Sequence, residues 1–391
     1  MSFRTNENLQ RYEYVRFHLD NVIEQPANNQ SQKKTGYRFT INDRSTMFDF
    51  FNGYIEVTKE LQKRADGTGY AQADRITMIN GSSSLIKHMV IRSSGKIVYE
   101  SDNLHRITNV KNLLEYSDDY SRSVAKNQFW YLDNDATTVT SDAATNLGMR
   151  QRALLSHEGI TVETILSLKR YSFFEGLSDR LLPPMQADFE IVPQDDTEMI
   201  FLNDGTARRI VVRKFELWVP QLQFTGKGQK LVNKNILKPT QWKYLKEMLH
   251  LSSSRRDANG RWLITPGVKN PKHVFVFFQQ TKAFTQNPHI FDTFDLDGYN
   301  SAKLATCRLQ YGTTFYPELE YEGEFKIRIL NDLIDFRYRK NDYNSGVQLQ
   351  LANFKTLSPI IYFDLRNAKE RMTGDPKKRI PLQVKRSRKR T

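Results

Sequence analysis

The residues best suited to chemistry lie at the C-terminus. The last fifteen residues, KKRIPLQVKRSRKRT, hold Lys377, Lys378, Arg379, Lys385, Arg386, Arg388, Lys389 and Arg390, and no acid. Clustered cations neutralise nucleic-acid phosphates and release their counterions, and two such clusters also match the spacing of a nuclear localisation signal. No RNP, zinc-finger or helix-turn-helix pattern accompanies them, so any DNA contact is expected to be non-specific. A solvated terminus with no partner would have the same composition. The formal net charge is +14; without the tail's eight cations the other 376 of the 391 residues carry +6. That distribution predicts a basic tail rather than a basic patch on the folded body.

Other constellations are weaker. Asp292, Asp295 and Asp297 form a DxxDxD run, and hard cations favour clustered carboxylates. Asp292 and Asp295 interleave with Phe291, Phe294 and Leu296, however, which a solvated strand face explains equally well. Asp118-Asp119 reads as helix-terminal charge rather than an acid/base pair, because adjacent side chains diverge. His18, His88, His105, His157, His250, His273 and His289 are scattered, with no HExxH or HxH pairing. A lone strand histidine such as His88 reads as a packing or surface residue. Gly226-Lys227-Gly228 lacks the spacing and the strand-loop-helix context of a phosphate-binding loop. Gly81-Ser82-Ser83-Ser84 is a Ser-rich turn, not a nucleophile elbow. The single cysteine, Cys307, excludes an intrachain disulfide and any multi-Cys zinc site. No catalytic residue, metal, cofactor or small-molecule substrate is expected.

The elements around these residues are mostly strands. Aromatic content is 12%, with 24 Phe and 18 Tyr, and the turns are rich in Asn, Asp, Ser and Gly, which favours β structure. A hydrophobic content of 39% over this length suffices for two packed cores. No apolar window is long enough for a transmembrane helix, and MSFRTNENLQRYEYVRF has no apolar signal-peptide core. A reducing intracellular setting is therefore expected, and the N-x-S triplets at Asn29 and Asn80 read as chance matches.

The stretch from Arg75 to Asp133 reads as the scaffold. Leu85–Arg92 and Lys96–Glu100 flank a Ser/Gly turn, which predicts a hairpin. Ile107, Val110 and Leu114 then recur at helical spacing, and Phe129-Trp130-Tyr131-Leu132 reads as extended. Upstream, Phe51, Gly53, Ile55 and Val57 alternate with polar partners as one half-buried strand. Downstream, a helix is expected near Met149–Leu155, and strands at Ile160–Leu168, MQADFEIV and RIVVRKFELWVPQLQF. TQWKYLKEML, capped by Thr240, reads as a linker helix. Strands return at HVFVFFQQ, IFDTFDL and LATCRL, and FKIRILNDLIDFRYR is amphipathic, with Phe325, Ile329, Leu333 and Phe336 on one face.

The order YRFTI, MFDFFNGYIEV, SLIKHMVIRSSGKIVYES, LLEYSDDYSRS and FWYLD resembles the first barrel of double jelly-roll major capsid proteins. These belong to eukaryotic DNA viruses and to Polinton/Maverick and adintovirus-like elements integrated in animal genomes. RYSFFEGLSDRLLPPMQADFEIVPQDDTEMIF and RIVVRKFELWVPQLQF resemble its closing strands, and KNPKHVFVFFQQTKAFTQNPHIFDTFDL with RLQYGTTFYPELEY resembles the opening of the second barrel. The resemblance spans most of Tyr37 to Asp375. It implies a mainly β protein with two tandem jelly rolls and short helices: an N-terminal arm over 1–35, a first roll over 36–225, a helical linker over 226–267, a second roll over 268–376 and the basic tail over 377–391. The family's second barrel would continue past PIIYFDL, so a barrel closed with fewer strands, or a truncated or frame-altered copy, is expected. The implied function is a structural capsid subunit, a homotrimer within a capsid lattice, located in the virion or host nucleus. The competing expectations are a jelly-roll carbohydrate-binding module, favoured by exposed Trp or Tyr on a sheet face, and a nuclear nucleic-acid binder acting through the tail.

Overall fold

The computed structural model describes residues 8–20, 36–43, 46–71, 76–132, 147–178, 181–182, 184–201, 208–236, 246–250, 271–277, 306–322, 326–338 and 360–366. Its N-terminal part is built on β1 (Leu9–Phe17), β2 (Tyr37–Ile41), β3 (Tyr54–Lys63), β4 (Ile86–Ser93), β5 (Lys96–Ser101), β6 (Thr161–Ser167), β7 (Ala187–Pro193) and β8 (Arg208–Phe224). One sheet runs β1-β8-β3-β6 and the other β2-β7-β4-β5. The first strand thus pairs with the eighth, the second with the seventh, the third with the sixth and the fourth with the fifth, all antiparallel. A long antiparallel hairpin rolled up in this order is a jelly roll.

Local sequence explains the roll. β7 sends Ala187, Phe189 and Ile191 inward, and β8 sends Phe215, Leu217 and Val219 inward, each set with the two-residue period of a half-buried strand. Tyr37 stacks on Phe215 across the two sheets, with ring centroids 4.2 Å apart. Phe50, Phe174 and Phe189 fill the centre. Each such ring contributes about 1.5–3 kcal/mol by leaving water. The tip between β4 and β5 has two residues, Ser94 at φ 47° and Gly95 at φ 80°, the paired positive values of a tight turn whose twist matches the strands.

Helix α1 (Leu104–Glu115) follows β5 and is buried on nearly every side. Leu104 enters the sandwich core, Leu113 packs with Tyr116 and Trp130, and Val110 and Leu114 belong to a separate core. That core joins them to Ile329, Leu330 and Leu333 of a later helix and to residues 360–363. α2 (Asp118–Arg122), α3 (Leu147–Ser156) and α4 (Gly226–Ile236) follow in chain order. The C-terminal part then contains β9 (His273–Val276), β10 (Thr306–Tyr311), β11 (Thr314–Glu322), α5 (Lys326–Tyr338) and β12 (Ile361–Asp364). β9 pairs with β12, and β10 with β11.

Several expectations are met: the β4–β5 hairpin, α1, α3, α5 and the strands of the roll. Others are corrected. Leu9–Phe17, assigned to an N-terminal arm, is a full strand of the roll, because its Val15 and Phe17 phase faces inward and its backbone pairs with β8. Phe50–Asn52 is a helical turn rather than strand, capped by the Asp49 side chain. Gly53 follows it in a crowded place, where a Cβ would stand 2.9 Å from Leu168 Cδ1 and 3.3 Å from the Phe50 and Trp218 carbonyl oxygens. Phe129 is left-handed (φ 56°) at the end of a helical turn over Val124–Gln128, not extended. The end of the expected linker helix, Lys246–Leu249, is not helical, and the rest of it lies outside the described residues; among the described residues of the linker, α4 follows directly after β8. IFDTFDL lies outside the described residues. Among the described residues the C-terminal part shows two strand pairs, β9–β12 and β10–β11.

Candidate interaction surfaces

The structure separates the residues that had suggested chemistry. Asp118 and Asp119 lie in the first turn of α2, capped by Ser117, and Asp118 pairs with Arg122 one turn on. His88 Nδ1 lies 3.2 Å from Asp102 Oδ1, and His157 Nδ1 2.6 Å from the Leu154 carbonyl. His273 Nδ1 lies 2.8 Å from the Tyr362 hydroxyl. His105 is buried beside Gln194 and Glu198; burial holds its pKa below the ordinary histidine value, although Glu198 opposes the shift. Among the described residues no cluster of His, Cys, Asp and Glu could hold a metal ion. Asp292, Asp295, Asp297, His289 and the tail residues Lys377, Lys378, Arg379, Lys385, Arg386, Arg388, Lys389 and Arg390 lie outside the described residues.

Two buried ionic features are structural. Lys111 of α1 donates to Glu175 Oε2 at 2.9 Å, Glu247 Oε1 at 2.8 Å and the Arg170 carbonyl at 3.0 Å. Beside it Arg170 donates to Asn112 at 3.0 Å and Glu115 at 2.9 Å, with its guanidinium over the Tyr116 ring. Burial disfavours the Lys111 charge, but Glu247, Glu175 and Glu115 outweigh it and hold its pKa above the ordinary lysine value. The network ties α1 to residue 247, beyond β8. Lys59 is the opposite case. It occupies the core phase of β3, with Ile55, Val57 and Leu61, and is 2% exposed. Its ammonium nitrogen has Ser82 Oγ at 3.4 Å and the Phe129 ring centroid at 4.6 Å. Burial pushes its pKa down to about 7.

The surface feature that sequence reasoning missed lies on the outer face of the β1-β8-β3-β6 sheet. Tyr12, Tyr14 and Arg16 share one phase of β1; Trp218 lies opposite Arg16 on β8, and Tyr54 opposite Trp218 on β3. Neighbouring ring centroids are 6.3 Å apart for Tyr12–Tyr14, 5.5 Å for Tyr14–Tyr54 and 6.4 Å for Tyr54–Trp218. Arg16 lies over the Trp218 ring at 5.8 Å. The polar tips are held: Tyr12 donates to Asp49, Tyr14 to the Asn52 carbonyl and the Trp218 indole to Glu56. Tyr12 and Tyr14 remain 42% and 45% exposed. Rings pinned in this way lose little freedom on contact, and Tyr, Trp and Arg are the residues enriched at interface centres. The YEY alternation and the outward phase of Trp218 carry this signal in the sequence.

The strand order defines the class: a jelly-roll protein. No protein-family description and no curated protein sequence matches the chain. Solved structures do match. One is the PBCV-1 virus capsid, with a TM-score of 0.47 and 10% identity over 93% of this chain and 86% of that one. Another is the Sputnik virophage, with 0.39 and 12% identity over 58% of this chain and 50% of that one. The mavirus major capsid protein matches with 0.33 and 11% identity over 54% of this chain and 46% of that one. The chain thus spans about half the length of the Sputnik and mavirus chains that it matches.

Proposed function

We propose that this chain is a non-enzymatic structural subunit of a capsid, from a virus or a virus-like integrated element, and that it assembles as a pseudo-hexameric trimer. One observation carries the reading: a complete jelly roll is followed, in the same chain, by a second antiparallel unit whose core shares helix α1. The resemblance of residues 37–375 to double jelly-roll capsid proteins supports it. A first roll from β1 to β8, a linker starting at α4 and a second roll over 268–376 is the corresponding division. Such a subunit works by shape and edge matching, and an obligate trimer would bury well over ~2,000 Å² per interface. Its place is the virion, and its contacts are with copies of itself.

The test is size-exclusion chromatography with light scattering, joined to negative-stain microscopy, on the full chain and on a variant lacking 377–391. Trimers in both support the proposal. A strictly monomeric species at high concentration overturns it. A second reading, a jelly-roll carbohydrate-binding module, is favoured by the Tyr12/Tyr14/Tyr54/Trp218 face. Glycan binding abolished by Trp218→Ala would support that reading, and the absence of binding to a broad glycan panel would remove it.

A further inference from the structure

We propose that the exposed face of α4 is a binding surface for the phosphate backbone of nucleic acid, made by the folded body and separate from the C-terminal tail. The helix reads GKGQKLVNKNI. Lys227, Lys230 and Lys234 recur at i, i+3 and i+7, which puts them in one stripe, and all three are exposed. Val232 and Gly228 occupy the opposite face. Val232 is buried with Met47 and Leu222, and a Cβ at Gly228 would stand 2.3 Å from the Asn8 carbonyl. The helix is therefore seated against the start of β1 with its lysines outward. No carboxylate among the described residues pairs with any of the three.

The charge distribution sharpens the point. From Gly226 to Lys246 the sequence holds six lysines and no acid. Together with the eight cations of the tail they account for the whole net charge of +14, so the rest of the chain is neutral. The +6 that lies outside the tail is thus gathered in one segment of the sequence. The arrangement also costs stability. Lys227 stands in a first turn without acids, where the helix dipole favours acidic residues, and like charges at i, i+3 and i, i+4 repel. A bound polyanion would reverse both effects.

The geometry favours nucleic acid over an anionic membrane. An amphipathic helix enters a bilayer through its apolar face, and here that face is packed on the sandwich. At about 1.5 Å rise per residue, Lys227 to Lys234 spans about 10 Å, roughly three phosphate steps of one duplex strand. Gln229 and Asn233, joined by a 2.9 Å hydrogen bond and exposed beside the stripe, add donors suited to phosphate and sugar. Contacts of this kind carry no sequence preference.

The experiment measures binding of fluorescent duplex DNA by anisotropy across a salt series. It compares the full chain, the triple variant Lys227→Gln/Lys230→Gln/Lys234→Gln, and a variant with the tail's eight cations changed to Gln. The expected result is that the triple variant loses affinity uniformly across DNA sequences. Its log K against log salt slope should be shallower by about 2–3, close to one per lysine. The tail variant should retain that part of the slope. An unchanged slope in the triple variant overturns the proposal, as does binding that disappears entirely with the tail. Lysine-dependent binding to phosphatidylserine vesicles without binding to DNA also overturns it, in favour of a membrane surface. The proposal does not rest on the capsid reading: light scattering of the triple variant reports trimerisation separately.

Discussion

Replacing Lys59 by Met tests the core of the roll. The side chain sits among Ile55, Val57 and Leu61 on the inner face of β3, with a hydroxyl and an aromatic face as its polar contacts. Burial moves its pKa from the ordinary 10.5 to about 7. The folded state therefore binds this proton less readily than the unfolded chain. Above the unfolded pKa both states are neutral and the residue costs nothing in charge. As pH falls toward 7 the unfolded chain takes up the proton first, and stability is lost. Below 7 both states are charged and the penalty is constant. At about 1.4 kcal/mol per pH unit, the full penalty is about 5 kcal/mol. Between pH of about 9 and about 7 it amounts to about 2–3 kcal/mol. Methionine keeps the aliphatic volume and removes the titration. Urea unfolding, followed by tryptophan fluorescence at both pH values, should show the parent losing about 2–3 kcal/mol more than Lys59→Met on going from 9 to 7. The variant should be the more stable protein at the lower pH. Parallel pH profiles for the two proteins, or a variant less stable at both values, would refute the reasoning that an uncompensated amine lies in the core.

Two further predictions concern α1. Lys111→Met leaves Glu175 and Glu247 without their shared cation and should destabilise the protein by about 1.5–3 kcal/mol in the same urea assay; a change below about 0.5 kcal/mol would show the network to be solvent-screened. Leu114→Ala empties part of the second core and should cost about 2–5 kcal/mol. Limited proteolysis should then open the C-terminal unit before the roll, and unchanged cleavage order would argue against α1 as the joint.

The chemistry of single residues predicted many local states, though not the helical turn at Phe50–Asn52 or the left-handed Phe129. Alternation in MQADFEIV and RIVVRKFELWVPQLQF is enough to define strands with one buried face, because side chains on a strand alternate whatever they pack against. The Ser94-Gly95 tip was also local, since glycine accepts the positive φ that a two-residue turn needs. Failures came where one pattern served two surroundings. RYEYVRF alternates like any strand, yet nothing within it says that it pairs with residues some 200 positions later. The resemblance to capsid proteins led to the expectation of a roll over 36–225; the strand order is that of a jelly roll, and the pairing of β1 with β8 adds Leu9–Phe17, which the resemblance had left in the arm.

The candidate surfaces divide in the same way. Six lysines without an acid stand between Gly226 and Lys246, but the exposure of three of them, Lys227, Lys230 and Lys234, on one side of α4 depends on Val232 being claimed by Met47 and Leu222. Likewise Ile107, Val110 and Leu114 announce a helix, while the assignment of Val110 and Leu114 to a second core, and of Leu104 to the first, follows from what lies on either side. Lys59 makes the point most sharply. Its place in the strand came from backbone periodicity, which is set by neighbours in sequence. Its burial came with the Gly81–Ser84 turn and Phe129 placed over it, and desolvation is a property of everything within a few ångströms, however distant along the chain.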